Sequence, residues 1–256
     1  MKEIYETIDI LLDVYAYNHA WKIAEQQVNF PMQSRYLLEM LKERRELNID
    51  FVFAHQAENR TILRCYDVEL IANHHREEQL ANYIMDLEAK VRDGNIIDFV
   101  RSVSPILYRL FYRLAKREIP NLENFIHDEK NDQYDTWLFT EMKQSDYVIF
   151  HKYLNIRRDA KVTSRSLAEL LQYSQLPEHI KKLIVELRQF EKSVRNPLAH
   201  LIKPFDEEEL HRTTNFSSQA FLDKIIDLAI YAGVKYDKEN FYFDTVNGII
   251  KENLKD

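Results

Sequence analysis

Arg195-Asn196-Pro197-Leu198-Ala199-His200 is the stretch whose residue types and spacing could do chemistry. It sets a guanidinium, which grips an anion such as phosphate, five positions before an imidazole, which can move a proton near neutral pH. Six residues alone do not identify a site, so the elements that position them decide what the pattern is worth.

The segment leading into it is strongly patterned. Ile180, Leu183, Ile184, Leu187, Phe190 and Val194 recur at three- and four-residue steps, the spacing of one buried helical stripe. Lys181, Lys182, Glu186, Arg188 and Lys192 fall on the remaining surface. If that helix ran on unbroken, residues 195 and 200 would stand roughly 140° apart around its axis and could not share a phosphate within one chain. Pro197 predicts a break instead, because it disfavours helical backbone at Asn196 and lacks an N–H. Asn196 would then be the N-cap of a new helix. Arg195 and His200 would come side by side, as a hydrophobic staple does, at an end whose free N–H groups favour an anion. The alternative is a kinked core helix whose polar pair satisfies itself.

Residues 95–118 are the second informative stretch. Ile106, Leu107, Leu110, Phe111 and Leu114 share a helical face, with Arg109, Arg113, Lys116 and Arg117 beside it and Tyr108 and Tyr112 beyond. Residues 101–120 hold five cations against one carboxylate in a chain whose net charge is −7. A basic stripe next to aromatic rings suits a single-stranded RNA path, and it equally suits an ordinary solvated helix face.

Composition bounds the rest. A chain of 256 residues with three Gly, six Pro, 45% hydrophobic and 30% charged residues points to a helical, well-packed protein of one large or two small domains. Its one cysteine, Cys65, excludes an internal disulfide and any Cys-based zinc cage. No hydrophobic leader follows Met1, and no apolar run reaches membrane-spanning length, so the expected location is cytoplasmic, with no membrane contact. There is no phosphate-cradling Gly-rich loop, no nucleophile elbow and no His-Glu-x-x-His. His74-His75 lacks a third ligand at a usable spacing, so no metal site and no cofactor are expected.

In chain order, residues 4–24 read as one long helix or two short ones, interrupted at Asn29-Phe30-Pro31. Helix resumes over 33–47, where Glu39, Lys42, Glu43, Arg44 and Arg45 form a charged side. It resumes again over 76–92 and stops at Asp93-Gly94-Asn95. Phe51-Val52-Phe53-Ala54 could be a short strand, and Asn240 to Phe243 a short strand or turn. Asp128 to Asp132 reads as a loop, 134–153 as helix, and Thr163-Ser164 as the cap of another helix. Lys203-Pro204 would limit the helix begun at Asn196 to two turns. Asp206-Glu207-Glu208-Glu209 is a solvated first turn, and 218–232 is amphipathic.

Three stretches together resemble the Csm-six family of type III CRISPR accessory ribonucleases. They are Asp98-Phe99-Val100-Arg101-Ser102-Val103-Ser104-Pro105-Ile106-Leu107, Tyr15-Ala16-Tyr17-Asn18-His19-Ala20, and Arg195-Asn196 with His200, the Arg-x4-His pattern of HEPN ribonucleases. The resemblance implies an all-α fold, with room for a short strand or hairpin: a helical middle domain over 1–93, then a HEPN helical-bundle domain over 94–256. It implies a metal-independent endoribonuclease of antiviral defence acting on single-stranded RNA and leaving 2′,3′-cyclic phosphate and 5′-OH ends. Arg195, Asn196 and His200 would be catalytic, in a site shared across a homodimer. Arg109, Arg113, Lys116, Arg117 and Lys192 would bind RNA. Family members also carry a CARF sensor, and this chain looks like the other two parts, so a cyclic oligoadenylate activator would act only through a sensor absent here. The competing readings are a HEPN toxin of a toxin–antitoxin pair and a non-catalytic helical interaction module.

Overall fold

The computed structural model describes residues 2–127, 135–156, 159–200 and 204–255, with backbone alone for 195–200. The described residues are helical almost throughout, so the all-α expectation holds.

The chain falls into two compact units, Met1–Asn95 with Gly233–Asp256, and Ile96–Ala232. The first opens with α1 (Lys2–Asp13) and α2 (Tyr17–Ala24). Of the two readings of 4–24, the structure takes the pair of short helices. The break needs neither Gly nor Pro. Tyr15 adopts φ 54° and Ala16 N–H donates to the Leu11 carbonyl at 2.8 Å, the closing bond of a left-handed helix cap. A non-Gly residue there is strained, and its ring is held by a hydroxyl bond to Asp244 Oδ1 at 2.9 Å and edge-on packing against Phe241. Next come α3 (Met32–Arg45), α4 (Ile49–Ala54), α5 (Gln56–Tyr66) and α6 (His75–Arg92). Residues 51–54 are therefore helical and not a strand. Ile49 and Val52 sit one turn apart and both are buried, so packing of one helical face outweighs the β-propensity of Phe-Val-Phe. Gly94 takes φ 70° after α6, and Asn95 N–H closes on the Lys90 carbonyl, the stop its sequence signalled.

The second unit begins with α7 (Ile96–Arg101) and α8 (Val103–Glu118). A two-residue strand pair follows, β1 (Ile126–His127) antiparallel to β2 (Thr136–Trp137), with Ile126 opposite Trp137. The expected loop at 128–132 lies outside the described residues. The single helix expected over 134–153 is instead β2, α9 (Phe139–Gln144) and α10 (Val148–Leu154), divided at Ser145 to Tyr147. Thr163 caps α11 (Ser164–Leu171) with a reciprocal capping box to Ser166, as its sequence predicts. Then come α12 (Glu178–His200), α13 (Glu207–Thr214), N-capped by Asp206, and α14 (Ser218–Tyr231).

The chain closes with α15 (Tyr242–Asn253), which packs on α1, α3 and α6. The segment from Gly233 onward thus belongs to the first unit, whereas the sequence suggested a single cut after residue 93. Phe243, Val246 and Ile250 form a buried stripe, and Asn247 donates to the Leu12 carbonyl at 2.9 Å. Residues 240–243 form no strand. Asp237 Oδ1 accepts from the backbone N–H of Glu239 and Asn240, and helix begins at Tyr242.

One charged residue is misplaced by periodicity. Arg44, expected on the charged side of α3, has no exposed surface. Its guanidinium donates to Glu78 Oε1 at 2.7 Å, Asn82 Oδ1 at 2.9 Å and the Leu70 carbonyl at 2.6 Å, and lies over the Tyr242 ring. Removing one partner of such a pair strands the other charge. Arg44→Met is expected to cost about 3–5 kcal/mol in urea unfolding, and the double variant Arg44→Met, Glu78→Leu clearly less. Equal costs for the two would show that the pair is not coupled.

Candidate active site

Helix α12 is the centre of the second unit and packs against α7, α8, α11, α13 and α14. The stripe that predicted it is real: Ile180, Ile184, Leu187, Phe190 and Val194 are buried, and Phe190 stacks on Phe221. The break expected at Pro197 does not occur. The backbone stays helical through Pro197 to His200. Proline removes one N–H, so the helix gives up the bond that residue 197 would make to the Ser193 carbonyl, and it ends three residues later. A helix anchored along this stripe tolerates that loss near its end. Asn196 is accordingly not an N-cap, no new helix starts there, and the side-by-side staple geometry for Arg195 and His200 falls with it. Residues 201–203, where that two-turn helix would have continued, lie outside the described residues.

Two consequences follow from the unbroken backbone. Positions 195 and 200 are separated by roughly 140° about the helix axis. Both also lie at the C-terminal end of α12, where the macrodipole favours cations rather than anions. Any anion held there is held by side-chain charge.

The α8 stripe is built as expected on its apolar side, with Ile106, Leu107, Leu110, Phe111 and Leu114 all buried. Its basic side divides. Arg113 Nε donates to the Ala232 carbonyl at 2.7 Å. Arg117 donates to the Tyr231 carbonyl at 3.3 Å and hydroxyl at 2.7 Å, and stacks over that ring. Both arginines thereby satisfy carbonyls at the C-terminus of α14, a structural task that periodicity does not reveal. Lys116 pairs with Glu123 at 3.2 Å. Arg109 is exposed beside the Tyr108 ring, and Tyr108 and Tyr112 stack with centroids 6.1 Å apart. Burial first, then the Asp135 carboxylate, pushes the Tyr108 hydroxyl up to about 12, so it remains a donor across the neutral range. Lys192 is exposed on α12.

One cluster on α12 was not anticipated. Glu191 is buried, accepts from the Ser164 hydroxyl at 2.9 and 3.0 Å and pairs with Arg188 at 3.2 Å. The cap at Thr163-Ser164 was legible, but its link to a carboxylate 27 positions away was not. Among the described residues, no three His, Cys, Asp or Glu side chains gather as metal ligands, and no helix is long and apolar enough to cross a membrane. His75 instead pairs with Asp50 at 2.6 Å.

The second unit is organised on a central helix whose last described residues read Arg-Asn-x3-His. The Cas_Csm6 HEPN domain family matches residues 70–251, and the chain belongs to that family. Its fold is similar to that of Enterococcus italicus Csm6 bound to cyclic hexa-2′-fluoro-hexa-dAMP, with a TM-score of 0.67 and 15% identity. The match covers 98% of this chain and 57% of that one. No curated protein sequence matches. The family match starts inside the first compact unit, not at residue 94, and so takes in α6 and most of α15.

Proposed function

We propose that this chain is a metal-independent endoribonuclease of type III CRISPR defence, acting on single-stranded RNA. The observation that carries the reading is the family match across a central helix that ends in Arg195, Asn196 and His200. The second unit bears the motif, and the HEPN match also takes in α6 and most of α15 of the first.

RNA brings its own nucleophile. The 2′-oxygen attacks the adjacent phosphorus as its proton passes to a base, and the 5′-oxygen leaves as it receives a proton. The products are a 2′,3′-cyclic phosphate and a 5′-OH. His200 serves proton transfer, a contribution of roughly 10²–10⁴-fold. Arg195 stabilises the charge on the phosphorane oxygens through its planar fork. Asn196 orients Arg195 or His200. The wide angular separation of positions 195 and 200 supports a site completed by a second copy of the chain across a two-fold axis. Arg109 and Lys192 lead the RNA along charge, the Tyr108–Tyr112 pair offers rings to bases, and Arg113, Lys116 and Arg117 add to the local field.

Purified protein incubated with end-labelled single-stranded RNA in EDTA is expected to cleave it and leave cyclic phosphate ends. Loss of cleavage on chelation, restored by Mg²⁺ or Mn²⁺, would refute metal independence.

A further inference from the structure

The segment from Ala160 to Arg165 joins two features of the second unit. At one end it lies along the small sheet. Trp137 N–H donates to the Ala160 carbonyl at 2.6 Å, Val162 N–H donates to the Asp135 carbonyl at 2.8 Å, and Thr136 bridges Lys161. The Asp135 carboxylate is the one whose charge acts on both Tyr108 and Tyr112. At the other end the Ser164 hydroxyl donates to Glu191, one helical turn before position 195 along α12. Helix α11, which the segment enters, packs on α8, α10 and α12. Resting on the ribonuclease reading above, we infer that Lys161 and Arg165 hold phosphates of the single-stranded RNA between the Tyr108–Tyr112 rings and the motif end of α12.

The sequence here is basic. Lys152, Arg157, Arg158, Lys161 and Arg165 stand against one carboxylate, Asp159, in a chain whose net charge is −7. Asp159 Oδ1 accepts from the Lys161 backbone N–H at 3.1 Å, so it shapes the turn into the segment. Lys161 and Arg165 are both exposed, on a backbone fixed by the sheet bonds on one side and by the Thr163–Ser166 capping box on the other. Helix stability does not account for Arg165. It stands in the first turn of α11, where the macrodipole disfavours a cation. Its partner Glu169, at 2.8 Å, follows it by four residues, the weaker order for a helical pair. An exposed pair of this kind contributes roughly 0–1 kcal/mol, so a phosphate can displace it. Cations that track the backbone, set beside rings that stack on bases, hold a single strand without reading its sequence.

The test is binding of a fluorescent 2′-deoxy single strand, which lacks the nucleophile, by the full chain over a range of salt concentrations. The double variant Lys161→Gln, Arg165→Gln is compared with a charge-matched control in the first unit, Lys22→Gln, Lys255→Gln. The first is expected to bind about tenfold more weakly at low salt, with a log–log salt slope shallower by about 1.4, the share of two phosphates on a single strand. The control is expected to match wild type. Lys161→Arg with Arg165→Lys keeps both charges and is expected to restore the slope. With cleavable RNA, the Gln pair is expected to raise KM for a long strand, to leave kcat within about twofold, and to leave a dinucleotide substrate unaffected. An unchanged salt slope in the Gln pair, or an equal loss in the control, overturns the role. A wild type that neither binds nor cleaves single strands overturns the ribonuclease reading and this role together. A wild type that cleaves, with long strands and dinucleotide equally affected by the Gln pair, overturns this role alone.

Discussion

His200→Ala is expected to lower RNA cleavage by about 10²–10⁴-fold, the range that a well-placed proton-transfer group contributes. The same variant is expected to unfold within about 1 kcal/mol of wild type. The second half follows from position. The described buried stripe of α12 runs from Ile180 to Val194, six residues before His200. Alanine is also the better helix former, so the local backbone loses nothing. Parallel measurement of cleavage rate and urea unfolding separates the outcomes. Lost activity with retained stability assigns chemistry to His200. A collapse in stability would make it a structural residue, and the kinetic loss would then say nothing about mechanism. RNA carrying 2′-deoxy sugars throughout supplies a companion control, because without the nucleophilic hydroxyl even the wild type should leave it intact.

The second large effect concerns assembly. In-line displacement needs a proton acceptor and a proton donor, and one chain offers one His200. With the helix unbroken, positions 195 and 200 stand roughly 140° apart about its axis, so a homodimer is expected to bring two motifs to one cleft. Mixing His200→Ala protomers with Arg195→Ala protomers tests how. Each mixed dimer retains one Arg195 and one His200, on opposite chains. If a single composite site needs both histidines and both arginines, the mixture stays as inactive as either variant. If two sites each pair Arg195 of one chain with His200 of the other, a fully mixed dimer regains one of them and up to about half the wild-type rate. Sedimentation of the wild type at micromolar concentration closes the test, since a monomer that still cleaves RNA would exclude both arrangements.

Local patterning made much of this chain legible. The stripes of α8, α12 and α14 were read from apolar residues at three- and four-residue steps, because a helix must bury one face wherever it packs. The Thr163 cap and the stop at Gly94 were read for a related reason, since each solves a backbone problem with a residue type that few alternatives match. The same local logic misread Phe51 to Ala54, whose β-propensity yields to the burial of Ile49 and Val52. At Pro197 it expected an end where an anchored helix continues.

Sequence by itself determined the helical class and placed Arg195, Asn196 and His200 beyond the end of a buried stripe, since residue type and period are local properties. Only the tertiary structure decided the partners of the charged residues elsewhere in the chain. It buried Arg44 against Glu78 and Tyr242, returned α15 to the first unit, and turned Arg113 and Arg117 toward the end of α14. It also tied Glu191 to Ser164 and carried α12 unbroken to His200. Each of these depends on partners distant in the chain or on packing along a whole helix. No local period encodes which charged group will find a hydrogen-bond partner when it is taken out of water.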